Sequence, residues 1–283
     1  MMKYPIGIQT FSNIIQDGYV YVDKTDMVYS LANSGKIFFL SRPRRFGKSL
    51  LLSTLKSYFL GQKELFRGLK IDSFEKEWNV YPVFHLSFGK GIFSMPYELD
   101  KNLETFVAMG EREYGKDELA TTISERFAAV IKAAHKKTGR RAVVLIDEYD
   151  KPLLDVMDQE IFVEDESGNR RKLENYNREL LKGFYGVFKD ADEDLQFVFL
   201  TGVTKFSQVS VFSGFNQPDD ISLDEKYESL CGITKEELLT VFDKPIHSLA
   251  STKNKSYEDM VAMLTEKYDG YHFSSNLTGI FNP

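Results

Sequence analysis

Residues Lys36 to Phe59 read KIFFLSRPRRFGKSLLLSTLKSYF: an apolar run, a basic turn, then Gly47, Lys48 and Ser49 ahead of a leucine-rich stretch. This order suits phosphate binding. In the pattern GxxxxGK followed by Ser or Thr, glycine lets the backbone approach a phosphate, lysine reaches the β and γ oxygens, and the hydroxyl binds magnesium. A strand end before the turn and a helix N-terminus after it aim amides and a positive dipole end at the same point. The candidate nucleotide contacts are therefore Arg44, Arg45, Phe46, Gly47, Lys48, Ser49 and Leu50. Arg42 stands where the pattern has its first glycine, and Pro43 has no N–H to offer a phosphate. Arg44 and Arg45 either compensate through charge-assisted bonds or face solvent. A Gly-Lys-Ser triplet alone is weak; its place between a strand run and a helix gives it weight.

A second constellation lies in RAVVLIDEYDKPL, where Asp147 and Glu148 follow the apolar run Val143 to Ile146. Ligands of open α/β sheets sit at such carboxyl ends of strands. On a strand expected beside that of the loop, Asp147 holds magnesium through its waters, and Glu148 polarises an attacking water; Glu148 and Lys48 are the candidate catalytic residues. The bland alternative is a strand end with solvated acids. Asp150 and Lys151 read as a surface or structural ion pair. In FLTGVTKFS, Thr201 and Thr204 either sense the γ-phosphate or simply form a turn, and Lys205 reads as solvated.

These residues need a scaffold. Ile37–Leu40, Tyr81–Phe88, Arg141–Tyr149 and Leu195–Val203 carry the β-branched and aromatic runs of inner strands. Helical spacing falls between them, over Leu50–Leu60, Leu99–Tyr114, Glu118–Ala134 and Leu173–Phe188. Alternation of this kind predicts an α/β fold with a doubly wound, mostly parallel sheet. Beyond Phe206 the pattern turns to loop with one short strand, then to two amphipathic helices, Thr234–Phe242 and Tyr257–Tyr268, the first capped by Thr234 with Glu237 three residues on. The expected division is a core over 1–206 and a loop with a small helical lid over 207–283. Asp158–Asn175 reads as a loop insertion or a two-stranded hairpin.

Composition limits the alternatives. The 283 residues are 42% hydrophobic and 28% charged, a globular balance, and the net charge of −6 leaves room only for a local basic patch. The single cysteine, Cys231, cannot form an internal disulfide and reads as a buried apolar residue. The start lacks a signal-peptide pattern, and no apolar run approaches the length of a membrane span, so a cytoplasmic protein without membrane insertion is expected. The four histidines are scattered, which disfavours zinc.

YVDKT (21–25), LSRPRRFGKSLLLSTL (40–55), LIDEYDKPLL (145–154), FLTGVTKFS (199–207) and YDGYHF (268–273) together give a resemblance along nearly the whole chain. It is similar to the bacterial AAA-ATPase-like proteins, whose members commonly carry a PD-(D/E)XK nuclease-like domain at the C-terminus. The resemblance implies a P-loop NTPase core of the AAA or signal-transduction ATPase type, with the Arg-Pro-Arg-Arg-Phe-Gly-Lys-Ser loop as the family's own variant. It also implies ATP and Mg2+ as cofactors, Lys48 and Ser49 at phosphate and magnesium, and Asp147 and Glu148 as the second acidic motif. An effector domain is expected beyond this chain, and nucleic acid enters only through it. A homo-oligomer or a trans-acting arginine donor is a further possible partner. The Asp158–Asn175 insertion looks long for the family. Two functions stay open: a magnesium-dependent, slow ATPase switch for that effector, and a nucleotide-responsive scaffold with little hydrolysis.

Overall fold

The structure, a computed structural model, describes residues 3–164, 168–205 and 218–283. Its strands are β1 (Ile37–Ser41), β2 (Val83–Ser87), β3 (Ala142–Asp147), β4 (Phe162–Glu164), β5 (Arg170–Lys172), β6 (Leu195–Gly202), β7 (Asp219–Asp220), β8 (Ile233–Thr234) and β9 (Ile280–Phe281). The α-helices are α1 (Phe11–Gln16), α2 (Thr25–Ser34), α3 (Lys48–Phe59), α4 (Glu98–Tyr114), α5 (Ile123–Thr138), α6 (Lys151–Leu154), α7 (Leu173–Asp190), α8 (Lys235–Val241), α9 (Asp243–Thr252) and α10 (Tyr257–Tyr268). The central sheet is parallel throughout, in the order β2-β3-β6-β1-β7.

Alternation along the strands separates two cores. Phe39, Val144, Ile146, Val198 and Leu200 face one side, where Leu103 and Val107 of α4, Phe127 and Ile131 of α5 and Phe184 of α7 close over them. Phe38, Leu40, Val143, Leu145, Phe197 and Phe199 face the other, against Phe11, Leu31, Leu51, Leu52 and Leu55 of α1 to α3. A helix layer thus covers each face of the sheet, the doubly wound α/β arrangement expected for strands apolar on both faces.

Several local expectations hold and several change. The strand runs and the helices Tyr257–Tyr268 and Thr234 onward are present, and Thr234 and Glu237 form a reciprocal capping box. Phe162–Glu164 and Arg170–Lys172 pair antiparallel, so the Asp158–Asn175 segment contains a hairpin. The run Tyr81–Phe88 yields not an inner strand but the edge strand β2, whose alternating burial shows one protected face. A third helix, α9, fills the Asp243–Thr252 stretch, and Ile246, Ala250 and Met260 give α8–α10 a small core of their own. Meanwhile Ile221, Tyr227, Leu230, Cys231 and Ile280 join the main core beside α3, and β7 adds to the sheet next to β1. Residues 206 and 207 of FLTGVTKFS and 212–217 of the expected loop lie outside the described residues.

Candidate active site at the end of the sheet

The turn between β1 and α3 brings the chain from the carboxyl end of β1 into a helix with no side chain capping its start. Gly47 occupies the cap position at φ 85, and Arg45 is also left-handed at φ 68. Gly47 tolerates that conformation without a Cβ penalty. The first helical bond runs from the Leu51 amide to the Gly47 carbonyl, so the amides of Lys48, Ser49 and Leu50 precede the intrahelical ladder. They leave a positive, donor-rich end suited to an anion.

Lys48 is not splayed into solvent. It is 7% exposed, and its Nζ donates to the carbonyls of Arg42 (2.8 Å) and Pro43 (3.0 Å). An ammonium has three donors, which leaves one for a phosphate oxygen. Burial lowers its pKa, while Asp147, Asp150 and Glu148 pull the other way.

Ser49 Oγ donates to Asp147 Oδ2 at 2.6 Å, and Thr201 Oγ1 donates to Asp147 Oδ1 at 2.7 Å. Asp147 ends β3, which is not adjacent to the loop strand as expected: β6 lies between them. Helix α3 spans the gap: its Phe59 ring meets Phe197 of β6 at 5.0 Å between centroids, and its leucines share one buried cluster with Val143 and Leu145 of β3. Thr201, on the intervening strand, reaches Asp147 from the side.

Glu148 follows in the left-handed region at φ 55, a costly place for a non-glycine residue. The surroundings over-determine it. On its two sides the Phe88 amide donates to the Asp147 carbonyl and the Tyr149 amide to the Thr201 carbonyl, at 3.1 and 2.9 Å. Glu148 is half-buried next to Gly89, and burial first, then Asp147, raises its pKa. Such a carboxylate is the more basic for it, as a water-polarising group should be.

Asp150 does not pair with Lys151. It is 1% exposed and accepts from the amides of Val203 (3.0 Å) and Thr204 (2.7 Å) and from Thr204 Oγ1 (2.6 Å). Lys151 instead binds Asp155 and the Gly91 carbonyl, both at 2.7 Å. Asp150 therefore shapes the end of β6, where Gly202 is needed because a Cβ there would lie 2.3 Å from the Tyr149 ring. Both threonine hydroxyls are spent on carboxylates, Thr201 on Asp147 and Thr204 on Asp150.

Arg44 and Arg45 are exposed, and among the described residues neither makes an ion pair; Lys205 is exposed as well. Phe46 is fully buried, and Leu50 half-buried against the α3-side core, so their side chains serve packing. The largest feature missed from sequence is Arg42. Its side chain, 1% exposed, turns inward and donates to the carbonyls of Ser222 (2.7 Å), Ser41 (3.0 Å) and Tyr227 (3.2 Å). Its guanidinium lies 4.0 Å from the centre of the Phe273 ring. A charged residue in place of a motif glycine was the available signal. In YVDKT, Asp23 accepts from Thr25 and from the Lys70 amide, and Lys24 pairs with Glu237 of α8 at 2.5 Å. Cys231 is buried, and burial pushes its thiol up.

Among the described residues no three His, Cys, Asp or Glu side chains cluster to enclose a metal. Magnesium at a phosphate does not need such a cage, since it keeps waters and phosphate oxygens and takes one or two protein ligands. Ser49 and Asp147, already in contact, fit that requirement. No helix among the described residues is long and apolar enough to cross a membrane.

Residues 5–212 match the family AAA-ATPase_like, described as Predicted AAA-ATPase. The chain is also 38% identical over 286 residues to the "Uncharacterized protein in vnfD 5'region" of Azotobacter chroococcum mcd 1, a match covering 99% of this chain and 50% of that protein. It thus spans about half the length of this relative. No solved structure matches. The parallel sheet, the glycine-lysine-serine turn at its end and the family match agree on nucleotide binding: the chain belongs to the AAA-ATPase-like family.

Proposed function

We propose that the chain is a magnesium-dependent ATP-binding module with slow hydrolysis that switches an effector domain in a longer protein. The observation that carries this reading is the contact of Ser49 with Asp147 at the uncapped start of α3, beside Lys48. In this proposal the first-turn amides and Lys48 hold the β and γ phosphates, Ser49 and Asp147 hold magnesium, and Glu148 orients the attacking water. Bound magnesium supplies charge neutralisation at the phosphates. Residues 1–206 serve as the core together with β7, the stretch from Ile221 to Cys231 and Ile280, and α8–α10 serve as the lid, tied to the N-terminal segment by the Lys24–Glu237 pair. The twofold length of the Azotobacter protein is in keeping with an effector beyond this module.

Titration calorimetry of the purified chain with ATP, ADP and GTP, with and without magnesium, tests this. ATP binding strengthened by magnesium, with slow phosphate release, is the expected result; absence of nucleotide binding sinks it. A second reading, a nucleotide-responsive scaffold with little turnover, draws support from Thr201 and Thr204. Their hydroxyls are committed to Asp147 and Asp150 and not free to sense a γ-phosphate. Binding without phosphate release favours that reading.

A further inference from the structure

The phosphate loop is gripped from behind at two points by residues of the C-terminal part of the chain. At its start, the Arg42 guanidinium lies over Phe273 and donates to carbonyls of Ser222 and Tyr227. In its middle, the Phe46 ring meets Tyr271 edge-on at 4.7 Å and Phe273 at 5.4 Å between centroids. A Cβ on Gly232, just before β8, would lie 2.4 Å from Ile280 and 3.2 Å from Phe46, so the β8–β9 pair sits directly against the same ring. Arg42 Nε is buried without a hydrogen-bond partner. A buried guanidinium left one bond short costs free energy, so the arrangement is not explained as a mere staple.

The same residue touches the chemistry from the front. The Arg42 carbonyl accepts from Lys48 Nζ. Any shift of Lys48 toward a phosphate therefore pulls on a backbone whose side chain is locked to residues 222, 227 and 273. We propose that Arg42 and Phe46 form a relay that carries the nucleotide state of the loop to the segment Tyr271–Phe281, with Arg42 as its positioning residue. This rests on the nucleotide-binding reading above. The relay converts occupancy at the cradle into altered stability of β9, whose Ile280 amide donates to the Tyr271 carbonyl and whose neighbour Asn282 donates to Tyr268. Anything joined to that segment then senses the nucleotide.

Hydrogen exchange of the full chain, with and without saturating magnesium and ATP, reads the relay at the amides of Ile280 and Asn282. The exchange rate there is expected to change by about 5-fold or more on binding, the lower end of ordinary coupling between sites. Phe273→Leu is expected to keep ATP binding but lose that nucleotide dependence, and Arg42→Met to lose the dependence as well. Ile246→Val, in the separate core of α9 and away from the relay, is expected to retain it, which separates coupling from loss of stability. Should Arg42→Met fail to fold, Phe273→Leu decides. Parent protein that binds ATP with unchanged exchange at these amides overturns the relay alone, as does dependence that survives in the folded variants or vanishes in Ile246→Val. Parent protein that binds no nucleotide overturns the site reading and the relay together.

Discussion

Ser49 and Asp147 meet at 2.6 Å although a complete strand, β6, separates the strands that lead to them. Helix α3 makes the contact possible by packing on both β6 and β3, with Phe59 against Phe197 of the first and its leucines in one buried cluster with Val143 and Leu145 of the second. The intervening strand is not a spectator, since its Thr201 completes the hydrogen bonding of the same carboxylate. Asp147 is thus held from two sides, and its geometry depends on neither partner alone.

Replacing Asp147 tests that role. Asp147→Asn keeps the shape, and the two hydroxyls can reorient toward the amide, so the fold should persist. The charge proposed to attract magnesium is lost. The gain in ATP affinity on adding magnesium should shrink or vanish in calorimetry, with metal-free affinity little changed. A full magnesium effect in the variant excludes Asp147 as the metal holder.

Lys48→Ala should weaken ATP binding by about 1.5–3 kcal/mol, roughly 10- to 150-fold, the range for a hydrogen bond to a charged group. The burial of Lys48 adds a second effect. Removing Nζ strips the Arg42 and Pro43 carbonyls of their partner, so a thermal melt should show a loss of about 1 kcal/mol as well. Unchanged affinity at an unchanged melting temperature rules out both roles.

Glu148→Gly should remove turnover and yet stabilise the protein, because glycine accepts φ 55 without the cost of a left-handed residue, about 1 kcal/mol. The pH dependence follows from its raised pKa, caused first by burial and then by Asp147. A carboxyl whose folded pKa lies above its ordinary value contributes stability below that ordinary value and loses it as pH rises through the raised one. Glu148→Gln should accordingly melt higher than the parent at neutral pH, with the gap closing in acid. The acid limb of hydrolysis should sit above the usual carboxylate range. A gap that widens in acid contradicts the assignment.

The arginine pair offers a different test. Arg44 and Arg45 face solvent without an ion pair among the described residues, so their charge is available to a triphosphate. Arg44→Gln with Arg45→Gln should lower ATP affinity and flatten its dependence on salt, because fewer charges remain to be screened. Equal affinity and equal salt slope would assign the whole cradle to Gly47, Lys48, Ser49 and the helix amides.

The Lys24–Glu237 pair joins the N-terminal segment to α8 at 2.5 Å with both partners mostly buried. Breaking one side of such a pair typically costs about 3–5 kcal/mol. Lys24→Met should therefore loosen α8, seen as faster amide exchange over α8–α10. Unaltered exchange there would mean that the pair does not hold the helices.

Much of the molecule was open to reading along the chain because the determinants are local. The β-branched runs that became β1, β3 and β6, the capping box at Thr234 and the glycine-lysine-serine turn each depend on residues within a few positions of one another. So did the placing of Asp147 and Glu148 at a strand end. Errors arose where a partner distant in sequence decided the outcome. Asp150 and Lys151 are adjacent and oppositely charged, yet Asp150 is drawn to amides of residues 203 and 204, and Lys151 to Asp155 and Gly91. Distant partners also set the hydrogen bonds of Thr201 and Thr204, whose hydroxyls donate to Asp147 and Asp150.

Sequence alone determined the order of strand, basic turn and helix at the carboxyl end of a parallel sheet, because backbone propensity and hydrophobic period act over a few residues. Tertiary structure decided that β6 stands between the loop strand and Asp147, that Ser49 nonetheless reaches the carboxylate, and that Arg42 points inward to Phe273. Those outcomes depend on packing and on hydrogen bonds between residues 54 to 231 positions apart, for which no local pattern carries a signal.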